Sequence, residues 1–325
     1  MQEEIRFATF NVCNLGPAGA KLYDNLEPLT PAQYEAKVQW TAQQLDLLNA
    51  DVVGFQEVFS LAALREVLSR TRHYQGATLC GHDAADASGR ALPAVALLSR
   101  LPLAGPAVAH VNFPAGVALP AEDHAAEDQA ARFARAPLHV PVVLPGGQVT
   151  DVLVVHLKSR RPDYRHADSS DALAYAMANL RSLHRRGAEA VALRVLACEL
   201  GRSGRPRIVL GDFNDIAQAV TTSIVMGAGA PSLPGHEMHE RLYDCNAIQQ
   251  RRDDLRQLRY TNIHDSSNMT IDHVLVSEHF HAASPRAIGV VQDVLYLNDH
   301  LLLAMPQASD HGQVLVRIRL RGPFD

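Results

Sequence analysis

Lysine, cysteine, tryptophan and long apolar runs are all scarce in this sequence, and each scarcity excludes something. Lysine occurs only at positions 21, 37 and 158, the remaining basic charge is arginine, and the formal net charge over 325 residues is −5. A protein that coats nucleic acid by bulk charge is usually basic, so that class is excluded while an enzyme with a local basic cleft is not. Cys13, Cys80, Cys198 and Cys245 are far apart with no C-x-x-C pair, which leaves neither a zinc signature nor a disulfide framework. They read as free thiols. No apolar run approaches the roughly 20 residues that span a bilayer, and the N-terminal MQEEIRFATF has no basic stretch followed by an apolar one. The expectation is a cytoplasmic protein, or a secreted one already trimmed, with no integral membrane segment. At 47% hydrophobic residues the chain is too apolar to be disordered.

What is present alternates strand and helix signals. Residues 5–12, 51–55, 92–98, 208–210, 270–276 and 314–320 read as strands, and 138–144 and 149–156 as a hairpin turned by Pro145-Gly146-Gly147. Pro31 opens a helix with Tyr34, Val38, Thr41, Leu45 and Leu48 at 3.6-residue spacing. Further helices are expected over 61–68 and 171–200, and loops over 118–135 and 227–235. No repeat or low-complexity linker divides the chain, so one α/β domain over 1–325, with mixed sheets, is expected.

The ends of the apolar strands carry the chemistry. The first ends in Asn11, the second in Gln56-Glu57, the hairpin in His156-Leu157-Lys158 and the fourth in Asp212-Phe213-Asn214. Asp272-His273 opens one late strand and Asp310-His311 precedes the last. Polar groups at so many apolar termini are costly to bury unless a metal or partner compensates them. Glu57, Asp212, Asp272, Asp310, Asn11 and Asn214 offer hard oxygens that suit Mg²⁺ or Mn²⁺. His156, His311 and Lys158 can donate to a phosphate-like anion. Together they indicate metal-assisted hydrolysis of a phosphoester. Asp299-His300 lacks an adjoining strand and reads as a decoy. His236 and His239 lack the His-Glu-x-x-His spacing of a zinc helix, and Arg251–Arg259 is interrupted by acids, so it reads as a solvated face.

The segments FATFNV (7–12), DVVGFQEVF (51–59), VVHLKSRRP (154–162), IVLGDFND (208–215), TIDHVLVS (270–277) and SDHGQVLV (309–316) together resemble the endonuclease/exonuclease/phosphatase superfamily, in its order and over nearly the whole chain. The resemblance implies a four-layer α/β sandwich: two mixed β-sheets packed face to face, helices outside, and an active site where the strand ends meet. It implies Asn11, Glu57 and Asp310 as metal ligands. Asp212 and Asn214 would orient the attacking water, His311 would contact phosphate or assist water, and His156, oriented by Asp272, would bind phosphate or protonate the leaving oxygen. Either Asp212 or His311 could serve as general base.

Lys158, Arg160 and Arg135 are candidate substrate contacts. The leading expectation is a nuclease acting on DNA or RNA. Its alternatives are a phosphatase or phosphodiesterase for small molecules or phospholipids, and an inactive binding module. The sequence carries no signal of oligomeric state.

Overall fold

Alternation along the first strand fixes the layering. In the computed structural model β1 (Glu4–Leu15) buries Ile5 and Phe7 in one apolar cluster and Ala8, Phe10 and Val12 in another. A strand covered on both faces lies between two layers. The structure describes residues 3–119, 131–165, 171–227, 240–252, 258–303 and 305–322.

After β1 come α1 (Pro31–Leu48), β2 (Val52–Val58), α2 (Leu61–Ser69), β3 (Thr78–Gly81), the small ribbon β4 (Ala84–Ala85) and β5 (Ala91–Leu92), then β6 (Ala94–Ser99) and β7 (Val108–Ala109). The second half holds β8 (Leu138–Val143), β9 (Val149–His156), α3 (Ala172–Gly201), β10 (Arg207–Asp212), α4 (Val220–Met226), β11 (Leu242–Asp244) and α5 (Cys245–Ile248). The ribbon β12 (Asn262–His264) and β13 (Ser267–Met269) precedes β14 (Asp272–Ser277), β15 (Gly289–Leu297), α6 (His300–Leu303) and β16 (Gln313–Leu320).

Two six-stranded sheets result, ordered β15-β16-β1-β2-β6-β3 and β11-β14-β10-β9-β8-β7. Each has one parallel pair at its centre, β1 with β2 and β9 with β10, flanked by antiparallel neighbours. Ile5, Phe7 and Val52 of the first sheet share one buried cluster with Val154, Ile208, Leu210 and Val274 of the second. On the outside, Phe10, Val53 and Phe55 pack on Val38, Leu45 and Leu64 of α1 and α2, while Leu153, Val155 and Val209 pack on Leu193, Leu196 and Val225 of α3 and α4. The architecture is the expected helix–sheet–sheet–helix sandwich. Gly54 marks the closest approach of the sheets, since a Cβ there would lie 2.1 Å from Leu210 Cδ1.

Local signals explain the element ends. Thr30 and Gln33 form a reciprocal capping box around Pro31, which starts α1, and Asn49 ends it in the left-handed conformation. Gly146 and Gly147, at φ of 85° and 84°, turn the expected hairpin. Seven strands were not expected from the sequence: β3, β11, β15 and the short β4, β7, β12 and β13. Pro93 separates β5 from β6, so the strand read over 92–98 begins two residues later. Most of the loops expected over 118–135 and 227–235, and both His236 and His239, lie outside the described residues. Among the described residues no helix is long and apolar enough to cross a membrane.

Candidate active site

Register assembles the centre. Asp212, the last residue of β10, is paired with His156 on β9 and with Asp272 on β14. Ile208 and Leu210 point into the inter-sheet core, so Asp212 two residues on shares their face. Asn11, on the Ile5–Phe7 face of β1, meets it from the opposite sheet: its Nδ2 donates to Asp212 Oδ2 at 3.1 Å and lies 3.5 Å from Glu57 Oε1. Asn214 adds its backbone N–H to Asp212 Oδ1 at 2.7 Å and its side-chain amide to Oδ2 at 3.3 Å.

The strand ends are bent to make this possible. The β1–β2 register shifts after Asn11, where Cys13 and Asn14 take φ of 49° and 60°, and β2 shifts against β6 between Phe55 and Val58, where Glu57 takes φ of 62°. Non-glycine residues in this region are strained and persist only where surroundings hold them. Here the side chains hold the bulges: Asn11 Oδ1 accepts from Cys13 N at 3.0 Å, and Glu57 Oε2 accepts from Asn14 N at 3.0 Å.

Electrostatics then divides the titratable groups. His311, in the turn before β16, places Nδ1 2.8 Å from Asp272 Oδ2, and Nε2 3.9 Å from Asp212 Oδ2. Burial opposes its imidazolium, but Asp272 and then Asp212 outweigh burial and hold its pKa well above the ordinary value. Burial, followed by the nearby Asp272 charge, pushes Asp212 up to about 7. His156 is fully buried, with Nε2 3.3 Å from Asp212 Oδ2 and Nδ1 without a hydrogen-bond partner. Burial, then Arg135 and His311, hold it well below the ordinary histidine range, so it is neutral.

One expected pairing is therefore corrected: Asp272 orients His311, not His156. Asp272 and His156 sit on opposite sides of Asp212 in the sheet, and the Asp272 carboxylate instead reaches across the sandwich to the turn before β16.

Two sets of groups could hold a metal. Asp212, Asp272 and His311 gather ligand atoms within 4.8 Å of one another, but His311 Nδ1 and Asp272 Oδ2 are engaged with each other. Glu57 is half-buried and Asp310 exposed, and both carboxylates act electrostatically on the same two neighbours, Cys13 and Lys37. Hard carboxylate oxygens near the same neighbours, with no ion pair to either among the described residues, suit Mg²⁺ or Mn²⁺. The Glu57–Asp310 edge, with Asn11 alongside, is the better fit.

The candidate substrate contacts behave differently from one another. Arg135 stands beside His156, with Nη1 3.3 Å from Leu157 O and a side-chain hydrogen bond to Tyr23. Lys158 instead turns its ammonium onto Ser159 O and Arg161 O, at 3.0 and 3.2 Å, and Arg160 pairs with Asp215. Lys158 is thereby held by its own loop, whereas Arg160 lines the same cavity as Asn214 and His311. His300 supports His311 O at 2.9 Å and packs on Trp40, which accounts for the third Asp-His pair structurally.

Sequence reasoning missed the groups that hold the site from behind. Ser309 Oγ donates to Asn11 O at 2.7 Å and accepts from His311 N, and Thr261 Oγ1 accepts from Asp272 N at 3.2 Å. Glu189 of α3, 1% exposed, accepts from Ala134 N and Lys158 N at 3.0 and 2.8 Å, fixing the loops on both sides of His156. Only Ser309 could have been found, from its place before Asp310-His311; the others lie far off in sequence.

A family model for the endonuclease/exonuclease/phosphatase family matches residues 8–311. The chain belongs to that family, whose members are phosphoesterase hydrolases that generally use divalent metals. Among solved structures it is similar to the human Nocturnin catalytic domain with bound sulfate, at TM-score 0.61 and 14% identity over 99% of this chain and 96% of that one. It is also similar to a humanized Danio rerio TDP2 carrying 14 mutations, at TM-score 0.58 and 14% identity, covering 97% and 99%. A family protein from Bacteroides thetaiotaomicron gives TM-score 0.58 at 17% identity, covering 99% and 100%. At these identities the likeness concerns the fold. A comparison with curated protein sequences returns no match.

Proposed function

We propose that the protein is a divalent-metal-dependent phosphodiesterase acting on nucleic acid. The observation that carries the reading is the convergence of the His311–Asp272 pair, the Asp212–Asn214 turn and the Asn11–Glu57 bulge at one edge of the sandwich. Glu57 and Asp310, with Asn11 alongside, would hold the divalent metal, which would supply neutralisation of the phosphate oxygens and the leaving group. Asp212 positions water for in-line attack and takes its proton. His311, held as an imidazolium, is already protonated and is poorly suited to be the base; it stabilises charge developing on phosphorus. Neutral His156 donates to the phosphate or the leaving oxygen, and Arg135 grips the phosphate beside it.

Nucleic acid is favoured over a compact ester by the extent of the cleft. A cavity of about 370 Å³ runs from Asn214 and His311 past Arg160, Arg161 and His264, larger than one phosphate needs. The sulfate bound to the Nocturnin catalytic domain shows that a similar fold accepts a phosphate-like anion. The test is hydrolysis of single- and double-stranded DNA, RNA and small phosphodi- and monoesters with Mg²⁺, Mn²⁺ or EDTA, using Glu57→Ala as the blank. Metal-dependent polynucleotide cleavage that weakens steeply with salt is expected. Turnover confined to small esters, or full activity in Glu57→Ala, would refute the reading.

A further inference from the structure

A second cavity, of about 270 Å³, lies behind the β1 bulge, between the chain before α1, α1 itself and the Pro306–Ala308 turn. Leu22, Leu29, Pro17 and Pro306 give it apolar walls. Lys37, only 6% exposed, lines it, and its ammonium makes no hydrogen bond or ion pair with the described residues. Asn14 stands on the same wall with a buried Oδ1 that has no partner. The carboxylates of Asp310 and Glu57 face the Lys37 charge, but a buried ammonium without a hydrogen-bond partner beside a buried acceptor without one is costly unless a ligand engages both. The cavity adjoins the catalytic edge: Cys13 and Asn14 follow Asn11 by two and three residues within the bulge, and the Asn14 N–H bonds Glu57.

We propose that this cavity is a nucleobase subsite that seats the base next to the scissile phosphate. The Lys37 ammonium donates to a carbonyl or ring nitrogen on the base edge, and Asn14 Oδ1 accepts from an exocyclic amine. A flat ring between leucine and proline walls with a mixed donor–acceptor edge fits these groups. An alkyl chain would leave both unpaired. Guanine, cytosine and adenine present both kinds of group, whereas uracil has no exocyclic amine and is disfavoured. The inference rests on the nucleic-acid reading above and names a specificity element within it.

Binding of guanosine, cytidine, adenosine and uridine, measured by saturation-transfer NMR in EDTA, needs neither metal nor turnover. Guanosine, cytidine and adenosine are expected to bind more tightly than uridine, Lys37→Met to weaken them about tenfold, and Ala20→Trp, which fills the cavity, to abolish binding. A thermal melt of each variant reports its folding, and Ala20→Trp keeps the test open if Lys37→Met does not fold. Absence of binding by all four nucleosides, or binding indifferent to both substitutions, overturns the proposal, as does decyl phosphate occupying the cavity in their place. Hydrolysis of bis(p-nitrophenyl) phosphate by the unaltered protein tests the phosphodiesterase reading separately, so the two can fail independently.

Discussion

Replacing Asp212 by Asn should abolish hydrolysis yet stabilise the fold at alkaline pH. Asp212 is 1% exposed, its nearest cationic group is 3.9 Å away, and Asp272 is paired beside it in the sheet. Its pKa of about 7 stands against 3.8 for a solvated aspartate, a difference worth about 4 kcal/mol. The sign follows from which state holds the proton. Below about pH 4 both folded and unfolded chains are protonated there and the stability is fully present. As pH rises towards 7 the unfolded chain ionises first, so the folded state loses that stability, and above 7 the loss is complete.

Asn cannot ionise and keeps the volume. Against this gain stand the lost attraction to His311 and the altered hydrogen bonds from Asn11 and Asn214, leaving a net gain of roughly 1–3 kcal/mol. Chemical denaturation in EDTA at pH 5 and pH 8, with wild type and Asp212→Asn in parallel, reads the difference directly. The variant should gain at pH 8, the gap should narrow at pH 5, and the rate should fall by at least about 10³. A variant destabilised equally at both pH values would show that the buried carboxylate is a structural asset, and the argument for a charge retained for chemistry would fail.

Two further outcomes follow from the same geometry. Asp272→Asn removes the partner of a buried imidazolium, so it should lower stability by about 3–5 kcal/mol at neutral pH and cut kcat by about 10²–10⁴; a denaturant melt and a rate assay check both, and an unchanged melt would contradict the His311–Asp272 pairing. Gly54→Ala puts a methyl 2.1 Å from Leu210 Cδ1 and against both Val154 methyls, so it should lower the denaturation midpoint by the equivalent of about 1–3 kcal/mol without a change in metal dependence.

What the sequence disclosed, and what it hid, divides along sequence separation. The Asn11, Glu57, His156 and Asp212 positions were legible because each ends a run of apolar, β-branched residues, and alternation shows which face the next side chain must take. The helix at Pro31 was legible through that proline and the 3.6-residue spacing of Tyr34, Val38, Thr41, Leu45 and Leu48, while its capping box from Thr30 and Gln33 was not read. By contrast, β15 was hidden because Gln292 and Asp293 interrupt its apolar run. The structure explains them by a bulge between Val291 and Asp293 and by an Asp293–Arg317 ion pair across to β16. The partner of Asp272 was hidden for a different reason: a strand's own pattern says nothing about which strand of the facing sheet lies opposite. The same holds for Lys158, whose fate was decided by the carbonyls of its own loop.

The convergence of six distant segments has a topological cause. Parallel pairs β1–β2 and β9–β10 bring the C-terminal ends of their strands to one edge, and ligands in such sheets gather beyond those ends. Antiparallel neighbours present their N-terminal ends at the same edge, which is why β14 contributes its first residue, Asp272, and the turn before β16 contributes Asp310 and His311. The two sheets must then be stacked with these edges aligned, and the Asn11–Asp212 hydrogen bond between them requires that alignment. Solved structures at 14–17% identity share this fold. What the layout cannot supply is the final turn of each chain into the cleft. Glu57 and Asn214 at φ of 62° and 53° supply it here, and their strain is concentrated where the chemistry is expected.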